Sequence, residues 1–342
     1  MKENIVFPAE WFPQSAVQLT WPHEQTDWAP IIDEVTKCFV AIAREIIKRE
    51  ILLIICIDEA EVRSHLGNDI DYNNIIFKEM PTNDTWARDH GGITVFCDGK
   101  PTIYDFVFNG WGMKFAANFD NTITRTLAQT DTFRKDVDVV NMQPFVLEGG
   151  SLETDGQGTL LTTVECLASV NRNEYLNKEQ LEYHLKDIFG LKRILWIENG
   201  YLAGDDTDSH IDTLARFCDE QTIAYVQCTD EADEHFEELQ AMEEELKAFH
   251  TTDGKPYRLI PLPMADNVVW EDERLPATYA NFLIINEAVL VPFYNSDKDE
   301  VARKAIQEAF PDREIVGIDC RALIKQHGSL HCVTMQYPEG TI

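Results

Sequence analysis

The chain has 342 residues, of which 44% are hydrophobic, so it is long enough to bury a substantial core. Sixty Asp and Glu residues against 29 Lys and Arg residues give a formal net charge of −31 at pH 7. Such an acidic chain repels phosphate backbones and anionic lipid, which argues against a nucleic-acid or membrane-surface role. The charge would attract a cationic ligand, although a solvated acidic surface is the simpler explanation of most of it.

The lack of targeting signals and the pattern of cysteines both predict a cytoplasmic protein. The sequence has no run of 18 apolar residues that would predict a transmembrane helix, and its start lacks the apolar region of a secretory signal. The eight cysteines form no CxxC pair and no zinc-ligand spacing. We therefore expect reduced thiols that mostly fill the core.

Strand and helix signals alternate along the chain. Strands are predicted at residues 16–21 and 51–57, with a helix at 31–50 between them. Later helices are predicted after Asn177 as N-cap, over residues 231–249, and from Ser296 to Phe310. Residues 213–218 are also predicted to be helical.

Three hairpin signals, which begin at Gly91, Gly150 and Asn281, lie between the helices. Each has apolar or β-branched runs around a short turn, and two of the turns contain Asp-Gly. A strand pair followed by a helix, recurring at roughly 60–130 residues, predicts repeated ββαβ units. This pattern favours one α/β domain over residues 1–342 rather than a chain of independent domains.

Several enzyme classes lack their motifs in this sequence. It contains no GxGxxG, GxxxxGK[ST], GxSxG or HExxH. The acidic residues 205–208 lack the turn glycine and the terminal Glu of an EF-hand calcium loop. Neither nucleotide binding, zinc hydrolysis nor calcium binding is therefore predicted.

Two clusters beside paired glycines are candidate ligand sites. Trp86 and Asp89 precede a double glycine that opens a strand, a position that suits ligand binding. The alternative is a turn in which Asp89 binds backbone amides. Glu148 precedes a second pair of glycines, which would let a ligand approach its carboxylate closely. The alternative there is a solvent-facing Glu beside a turn.

Two further clusters supply a histidine and a cysteine. If residues 204–212 are extended, His210 and Asp212 point to the same face. The nearby carboxylates would then raise the pKa of His210, which is a candidate general base. The alternative is a helix that Ser209 caps. Cys332 lies where a Gly-containing loop enters a strand, and His331 beside it would point the opposite way, so His210 would be its partner. The alternative for a lone cysteine is a buried small hydrophobe.

Together these clusters indicate a thiol nucleophile that acts on a cationic substrate. A cysteine and a histidine far apart in sequence are typical of thiol catalysis. Many carboxylates do not suit an acyl-transfer site, because an oxyanion hole needs hydrogen-bond donors. They do suit a planar cation such as a guanidinium, whose N–H groups carboxylates bind bidentately.

Several segments resemble, in order, the motifs of the agmatine deiminase family. They are PAEWFPQSAVQLTWPHEQTDW, WARDHGG, LEGGSLETDGQGTLL, GDDTDSHIDTLARF, YANFLIINEAVLVPFYNSDKD and HGSLHCVTMQYP. The resemblance runs essentially from end to end. The family, together with bacterial peptidylarginine deiminases, belongs to the guanidino-group-modifying superfamily. The resemblance implies a five-bladed, pseudo-symmetric α/β-propeller of ββαβ modules, known as the pentein fold, as a single catalytic domain.

The resemblance also implies roles at the reacting end of the site. It implies that Cys332 is the nucleophile and His210 the general acid and base. It implies that Asp89 and Asp212 grip the guanidinium, with Glu148 as a further carboxylate at the reacting end. Agmatine would be converted to ammonia and N-carbamoylputrescine through a covalent amidino-cysteine intermediate.

Three further residues are implied to bind the substrate. Trp86 and Trp111 would be aromatic walls of the pocket, and Asp206 would face the distal amine. No metal or organic cofactor is expected, because the substrate carries its own positive charge. The expected partner is a small cationic guanidino compound, and a homo-oligomer is compatible with the sequence.

Two departures from the family pattern leave the substrate open. This chain has residues 327–330 (HGSL) where the family has glycines and an Asn, and Thr213 where the family has Asn. The alternatives are a deiminase of arginine or peptidyl-arginine, or a non-catalytic polyamine-binding protein. An arginine carboxylate would need a basic partner, and Asp206 has the wrong sign. The presence of Cys332 and His210 argues against a non-catalytic protein.

Overall fold

Short strands and helices alternate over residues 4–342, the part of the chain that the computed structural model describes. The strands are β1 (Ile5–Val6), β2 (Gln14–Thr20), β3 (Ile51–Cys56), β4 (Ile75–Glu79), β5 (Ile93–Cys97), β6 (Lys100–Val107), β7 (Asp138–Val146), β8 (Glu153–Thr154), β9 (Thr159–Thr163), β10 (Arg193–Ile197), β11 (Ala215–Phe217), β12 (Thr222–Gln227), β13 (Arg258–Pro263), β14 (Val269–Trp270), β15 (Glu273–Arg274), β16 (Leu283–Ile285), β17 (Ala288–Phe293), β18 (Glu314–Asp319) and β19 (Thr334–Pro338). The helices are α1 (Ile32–Ile47), α2 (Glu59–Leu66), α3 (Ala87–His90), α4 (Gly110–Met113), α5 (Ile123–Leu127), α6 (Val164–Leu167), α7 (Val170–Asn173), α8 (Lys178–Phe189), α9 (Phe236–Ala248) and α10 (Asp299–Ala309).

Five sheets share one pairing pattern. In each, a strand pairs antiparallel with a second strand, and a third strand returns parallel to the second after a helix. The five sets are β5-β6-α5-β7, β8-β9-α8-β10, β11-β12-α9-β13, β16-β17-α10-β18 and β19-β2-α1-β3. The three predicted hairpins are confirmed as β5-β6, β8-β9 and β16-β17. The strand and helix order within each set is the predicted ββαβ order.

The last strand completes the sheet that the N-terminal part of the chain begins. β19 pairs antiparallel with β2, in a register that places Thr334 opposite Leu19. β2 in turn pairs parallel with β3, whose side chains at positions 52–56 are buried. The turn before β19, which carries Cys332, is thereby fixed to a buried sheet.

Helix α1 illustrates how the sequence pattern produces a packed layer. Val35, Phe39, Ile42 and Ile46 recur at helical spacing and are fully buried. Burying each of them stabilises the fold by about 1.5–3 kcal/mol relative to exposure. The helix predicted after Asn177 is confirmed as α8, and the Asn177 side chain accepts a hydrogen bond from the backbone N–H of Gln180 at 2.9 Å.

Two other predicted helices begin later than the sequence suggests. Helix α9 begins at Phe236, because Asp233 is paired with Arg274 at 2.7 Å and His235 accepts from the backbone N–H of Ala203 at 2.8 Å. Helix α10 begins at Asp299, because the residues before it form a turn.

The predicted helix at residues 213–218 is wrong. Ala215–Phe217 forms β11, in which Ala215 lies opposite Tyr225 of β12. The side chain of Arg216 is fully buried and paired with Glu153, so strand pairing and a buried ion pair override the local helical pattern. Ser209 does not cap a helix either, since its hydroxyl lies 3.3 Å from a Glu165 carboxylate oxygen. No helix within residues 4–342 is both long and apolar enough to cross a membrane.

Candidate active site

One pocket collects side chains from four separate sequence motifs. It encloses about 400 Å³, including its open mouth. Five of the eight predicted site residues line it, namely Trp86, Asp89, Trp111, Asp206 and Cys332. Its other lining residues are Asp27, Asp84, Phe115, Thr207, Gln326, His327 and Gly328. Of the remaining predicted residues, His210 lies beside Asp89 and Asp212 lies beside Cys332, whereas Glu148 contacts His210.

Cys332 lies in the turn before β19 and is only 4% exposed. Its Sγ is 3.4 Å from Asn281 Oδ1 and 3.9 Å from Asp212 Oδ2. Asn281 Oδ1 also accepts the backbone N–H groups of His331, at 2.9 Å, and Cys332, at 3.3 Å, which fixes this turn. Burial, together with the negative charges of Asp212 and Asp89, raises the pKa of the Cys332 thiol well above its usual range. The thiol is therefore neutral in the free protein.

His210 is fully buried between two carboxylates. Its Nε2 is 2.8 Å from Glu148 Oε2, and its Nδ1 is 3.6 Å from Asp89 Oδ1 and has no hydrogen-bond partner among the described residues. Burial opposes protonation, but the charge of Asp89 and the hydrogen bond to Glu148 outweigh it and raise the pKa of His210 well above its usual value. His210 is thus an imidazolium in the free site, with Nδ1 available.

Glu148 faces His210 rather than the pocket. It is 1% exposed, and its Oε2 lies 2.9 Å from Arg172 Nη2 and 2.8 Å from His210 Nε2. Burial raises the pKa of Glu148, but His210 and Arg172 more than compensate and hold it below its ordinary value. The family resemblance implies that Glu148 contacts the substrate at the reacting end. The observed contacts of Glu148 instead make it the partner of His210.

The glycines beside Glu148 leave room for protein side chains, not for a ligand. A Cβ on Gly150 would lie 2.5 Å from His210 Nδ1 and 2.9 Å from Asp89 Oδ1. A Cβ on Gly149 would collide with the backbone carbonyl of Arg88. The expected close approach of a ligand across these glycines is therefore wrong, because His210 and Asp89 already occupy that space.

Asp89 holds together two walls of the pocket. Its Oδ1 accepts the backbone N–H of Gly150 at 3.0 Å, and its Oδ2 accepts the indole N–H of Trp111 at 2.9 Å. Burial raises the pKa of Asp89 to about 6, against the opposing effect of His210. Ligand binding and the binding of backbone amides were the two alternatives for Asp89. Each applies in part, since Asp89 binds the distant backbone amide of Gly150 and also lines the pocket.

Asp212 lies beside the Cys332 thiol and has one carboxylate oxygen without a partner among the described residues. It is fully buried, and its Oδ2 lies 2.7 Å from His331 Nδ1. Its Oδ1 has no hydrogen-bond partner among the described residues. Burial opposes ionisation, but contact with His331 lowers the pKa of Asp212 below its ordinary value, so the group is charged. A buried, ionised oxygen without a donor is costly, and a cationic N–H group would satisfy it.

The distal end of the pocket is acidic and aromatic. Asp206 is half-buried there, and its carboxylate makes no hydrogen bond within residues 4–342. Lys114 Nζ instead donates to the Asp206 backbone carbonyl at 2.5 Å and to Asp208 Oδ1 at 2.8 Å. The rings of Trp86 and Trp111 meet edge to face with centroids 6.3 Å apart. This end therefore suits a cation on an apolar stem.

Sequence reasoning missed the ion pairs that support this site. His331 Nε2 lies 2.6 Å from Glu10 Oε2, and Glu10 Oε1 lies 3.0 Å from Arg216 Nη2. Arg172 and Asn281 were missed as well. A charged residue inside an apolar segment, such as Arg216 between Ala215 and Phe217, is the one sequence signal that could have found a member of this network.

A metal ion does not suit this cluster. Glu148, Cys166 and His210 present ligand atoms within 4.8 Å of one another. However, the guanidinium of Arg172 binds both oxygens of Glu148, at 2.9 to 3.2 Å, and would repel a cation there. The expectation that no cofactor is needed stays a prediction.

Comparison with known proteins places the chain in a family. The sequence model of the Porphyromonas-type peptidyl-arginine deiminase family matches residues 6–338. The chain belongs to this family. It is 31% identical to a Vibrio parahaemolyticus protein, with 98% of each covered, whose assignment as an agmatine deiminase is provisional.

Two solved structures extend this comparison to the fold. A C. jejuni agmatine deiminase, a cysteine-to-serine variant with substrate bound, is 40% identical, with a TM-score of 0.92 over 99% of this chain and 97% of that one. A Porphyromonas gingivalis structure, provisionally an arginine deiminase, is 57% identical, with a TM-score of 0.95 and 99% of each chain covered. The resemblance to agmatine deiminases is confirmed, and the chain has their mixed α/β fold.

We predict that Gly150→Ala removes activity toward any substrate of this site while the protein still folds. The added methyl group would push His210 and Asp89 apart, because its carbon would lie within 3 Å of both. Turnover and circular dichroism measure the two effects.

Gly99→Ala is the matched control, since a Cβ at Gly99 would meet no atom within 4 Å. Its positive φ of 80° makes a small loss of stability the expected effect, with activity kept. Full activity of Gly150→Ala would show that the spacing between His210 and Asp89 is not critical.

Proposed function

We propose that the protein is an agmatine deiminase, which hydrolyses agmatine to ammonia and N-carbamoylputrescine through a covalent amidino-cysteine intermediate. Family membership assigns the coarser class, the guanidino-modifying hydrolases. The observation that carries the proposal is the pair of buried carboxylates, Asp89 and Asp212, beside the Cys332 thiol. Within residues 4–342, neither carboxylate is paired with an Arg or Lys side chain.

The first step is substrate binding by charge. The guanidinium donates N–H groups to Asp212 Oδ1 and to Asp89, as in other bidentate carboxylate contacts. Its positive charge lowers the pKa of Cys332, because it offsets the two carboxylates that raise it. The thiol then releases its proton to solvent and becomes the nucleophilic thiolate.

The second step forms the covalent intermediate. The thiolate of Cys332 adds to the central guanidinium carbon, and a C–S bond forms. His210, an imidazolium held by Glu148, donates its Nδ1 proton to the departing nitrogen, and the C–N bond breaks to release ammonia. An amidino group remains on Cys332.

The third step is hydrolysis. Neutral His210 takes a proton from water, whose oxygen adds to the amidino carbon. The C–S bond then breaks, the thiolate of Cys332 is restored, and the hydroxyl proton of the intermediate passes to solvent as the carbonyl forms. One residue thus acts as acid and then as base, and the product is a urea.

The distal end of the pocket favours agmatine over arginine. Asp206, Asp84 and Asp27 line the pocket, and no Arg or Lys is among its described lining residues. An ammonium tail would be attracted there, whereas the carboxylate of arginine would be repelled. Lys114, a cation near Asp206, is engaged by the Asp206 carbonyl and by Asp208.

We also propose that the five ββαβ sets form one pseudo-symmetric propeller, as a single catalytic domain. The repeated pairing pattern and the closing strand β19 support this arrangement. The site residues come from turns in four of the sets, which a ring of modules would bring to one centre.

An ammonia-release assay tests the proposed substrate. Purified protein is given agmatine, arginine or an arginine peptide blocked at both ends. We expect kcat/KM to be highest for agmatine. Higher kcat/KM for arginine or the peptide would reject agmatine as the substrate, and agmatine binding without ammonia release would favour the non-catalytic alternative.

We predict that Cys332→Ser abolishes turnover and leaves the protein folded. A hydroxyl of nearly the same size replaces the thiol, but it is a far weaker nucleophile near neutral pH. Ammonia release and thermal unfolding measure activity and stability. Cys97→Ser, a change at a half-buried thiol remote from the pocket, should keep activity. Wild-type turnover by Cys332→Ser would remove Cys332 from the mechanism.

We predict that Asp206→Asn lowers kcat/KM for agmatine by about ten- to a hundred-fold, the equivalent of a lost charge-assisted contact of roughly 1.5–3 kcal/mol. The substitution keeps the shape of the side chain and removes its charge. An alkylguanidine of the same length that lacks the amine serves as the control substrate, and it should be nearly indifferent to the change. Equal losses on both substrates would reject recognition of the amine by Asp206.

A further inference from the structure

Arg172 lies behind the pocket wall and contacts two different parts of the site. It belongs to α7, which follows β9, and its side chain is 2% exposed. Its Nε and Nη2 lie 3.2 and 2.9 Å from Glu148 Oε2. Its Nη1 donates to Asp208, and its Nη2 also donates to the Thr207 carbonyl at 2.9 Å. Arg172 does not line the pocket.

The two sets of contacts serve opposite ends of the proposed substrate. Glu148 holds His210, which acts at the guanidinium. Thr207 and Asp208 belong to the loop that presents Asp206 to the ammonium. The Thr207 hydroxyl also accepts the backbone N–H of His210 at 3.2 Å, so the loop and the histidine are linked by the backbone as well.

We propose that Arg172 is a positioning residue that holds the tail-binding loop and the His210–Glu148 pair in one geometry. The proposal rests on the proposed function of the site. A guanidinium suits this task because its donors are fixed in a plane and reach both carboxylates at once. A lysine ammonium at this position would keep the charge but could not span Glu148 and Asp208 with the same geometry.

The contact also keeps Glu148 ionised. Arg172 is among the groups that lower the pKa of Glu148 against the effect of burial. Without Arg172 that pKa rises, so Glu148 becomes protonated at a higher pH and stops stabilising the His210 imidazolium. The acidic limb of the kcat profile should therefore move to higher pH when Arg172 is replaced.

Arg172→Lys and Arg172→Met test the proposal, with kcat and KM measured against pH. We expect kcat for agmatine to fall by about tenfold or more, a part of the roughly 10²–10⁴-fold that a general acid and base contributes. We expect the acidic limb to move to higher pH, most for Arg172→Met. KM for agmatine should rise, and KM for the alkylguanidine should change less.

Two further variants separate the contacts. Asp208→Asn weakens the link to the loop but leaves Arg172 on Glu148, so it should raise KM for agmatine without moving the acidic limb. Arg134→Met is the matched control. Arg134 is exposed, and among the described residues its side chain pairs only with Asp136, at 3.3 Å, so the variant should behave as wild type.

The outcomes distinguish this proposal from the proposed function. If folded Arg172→Lys keeps the wild-type kcat and acidic limb, Arg172 is not a positioning residue. If Arg172→Lys lowers the melting temperature but leaves the acidic limb of the kcat profile unchanged, the role of Arg172 is merely structural. If Arg172→Met does not fold, Arg172→Lys decides. Failure of the wild type to use agmatine would reject the proposed function instead, and the same variants would then be compared on whichever guanidino compound it uses.

Discussion

The proposed chemistry of this pocket depends on Asp89 and Asp212, two buried carboxylates that have no Arg or Lys partner among residues 4–342. Burying a negative charge without a donor is unfavourable, and Asp212 Oδ1 is such a group. Burial and these charges together raise the pKa of the Cys332 thiol and keep it protonated. A guanidinium relieves both conditions at once, because it supplies the donors and offsets the charge. In the proposed mechanism, the free protein therefore holds a neutral thiol, and the cation that activates it is the substrate.

The fold supplies this arrangement by fixing each group from a different direction. Strand β19 anchors the turn that carries Cys332, while Asn281 binds two of its backbone N–H groups. Gly150 allows His210 and Asp89 to approach each other, and its N–H binds Asp89. His331 contacts Asp212 and also contacts Glu10, and Glu10 in turn is paired with Arg216. These buried contacts use Asp212 Oδ2 and leave Oδ1 without a hydrogen-bond partner among the described residues.

Local sequence patterns were sufficient for the three hairpins and for helices α1, α8, α9 and α10. Asp-Gly turns and β-branched runs marked β5-β6 and β8-β9, because a tight turn and a half-buried strand need those residues. Local patterns failed at Ala215–Phe217, where the buried ion pair of Arg216 with Glu153 favours a strand over the predicted helix. No local pattern encodes a partner that lies about 60 residues away in the chain.

The site could be predicted in part, and the part that failed has a physical reason. Resemblance to a family selected Cys332, His210, Asp89, Asp212 and Asp206, and the structure brings these residues together; their roles stay predictions. The contacts of Glu148 with His210 and Arg172 could not be read from the sequence, since a Glu before two glycines looks the same whether it faces a ligand or a neighbour. Arg172 was missed because a single Arg in a polar segment resembles a surface residue.

The location of the covalent intermediate is the most direct test of this account. Wild-type protein is mixed with agmatine, quenched in acid during turnover and digested for mass spectrometry. The account predicts a mass increase equal to agmatine less ammonia on the peptide that contains Cys332. Cys166 provides an internal comparison, because its Sγ lies 3.8 Å from Glu148 Oε2 in the same cluster and its pKa is raised mainly by burial. An adduct on Cys166, or turnover with no adduct on any cysteine, would contradict the account.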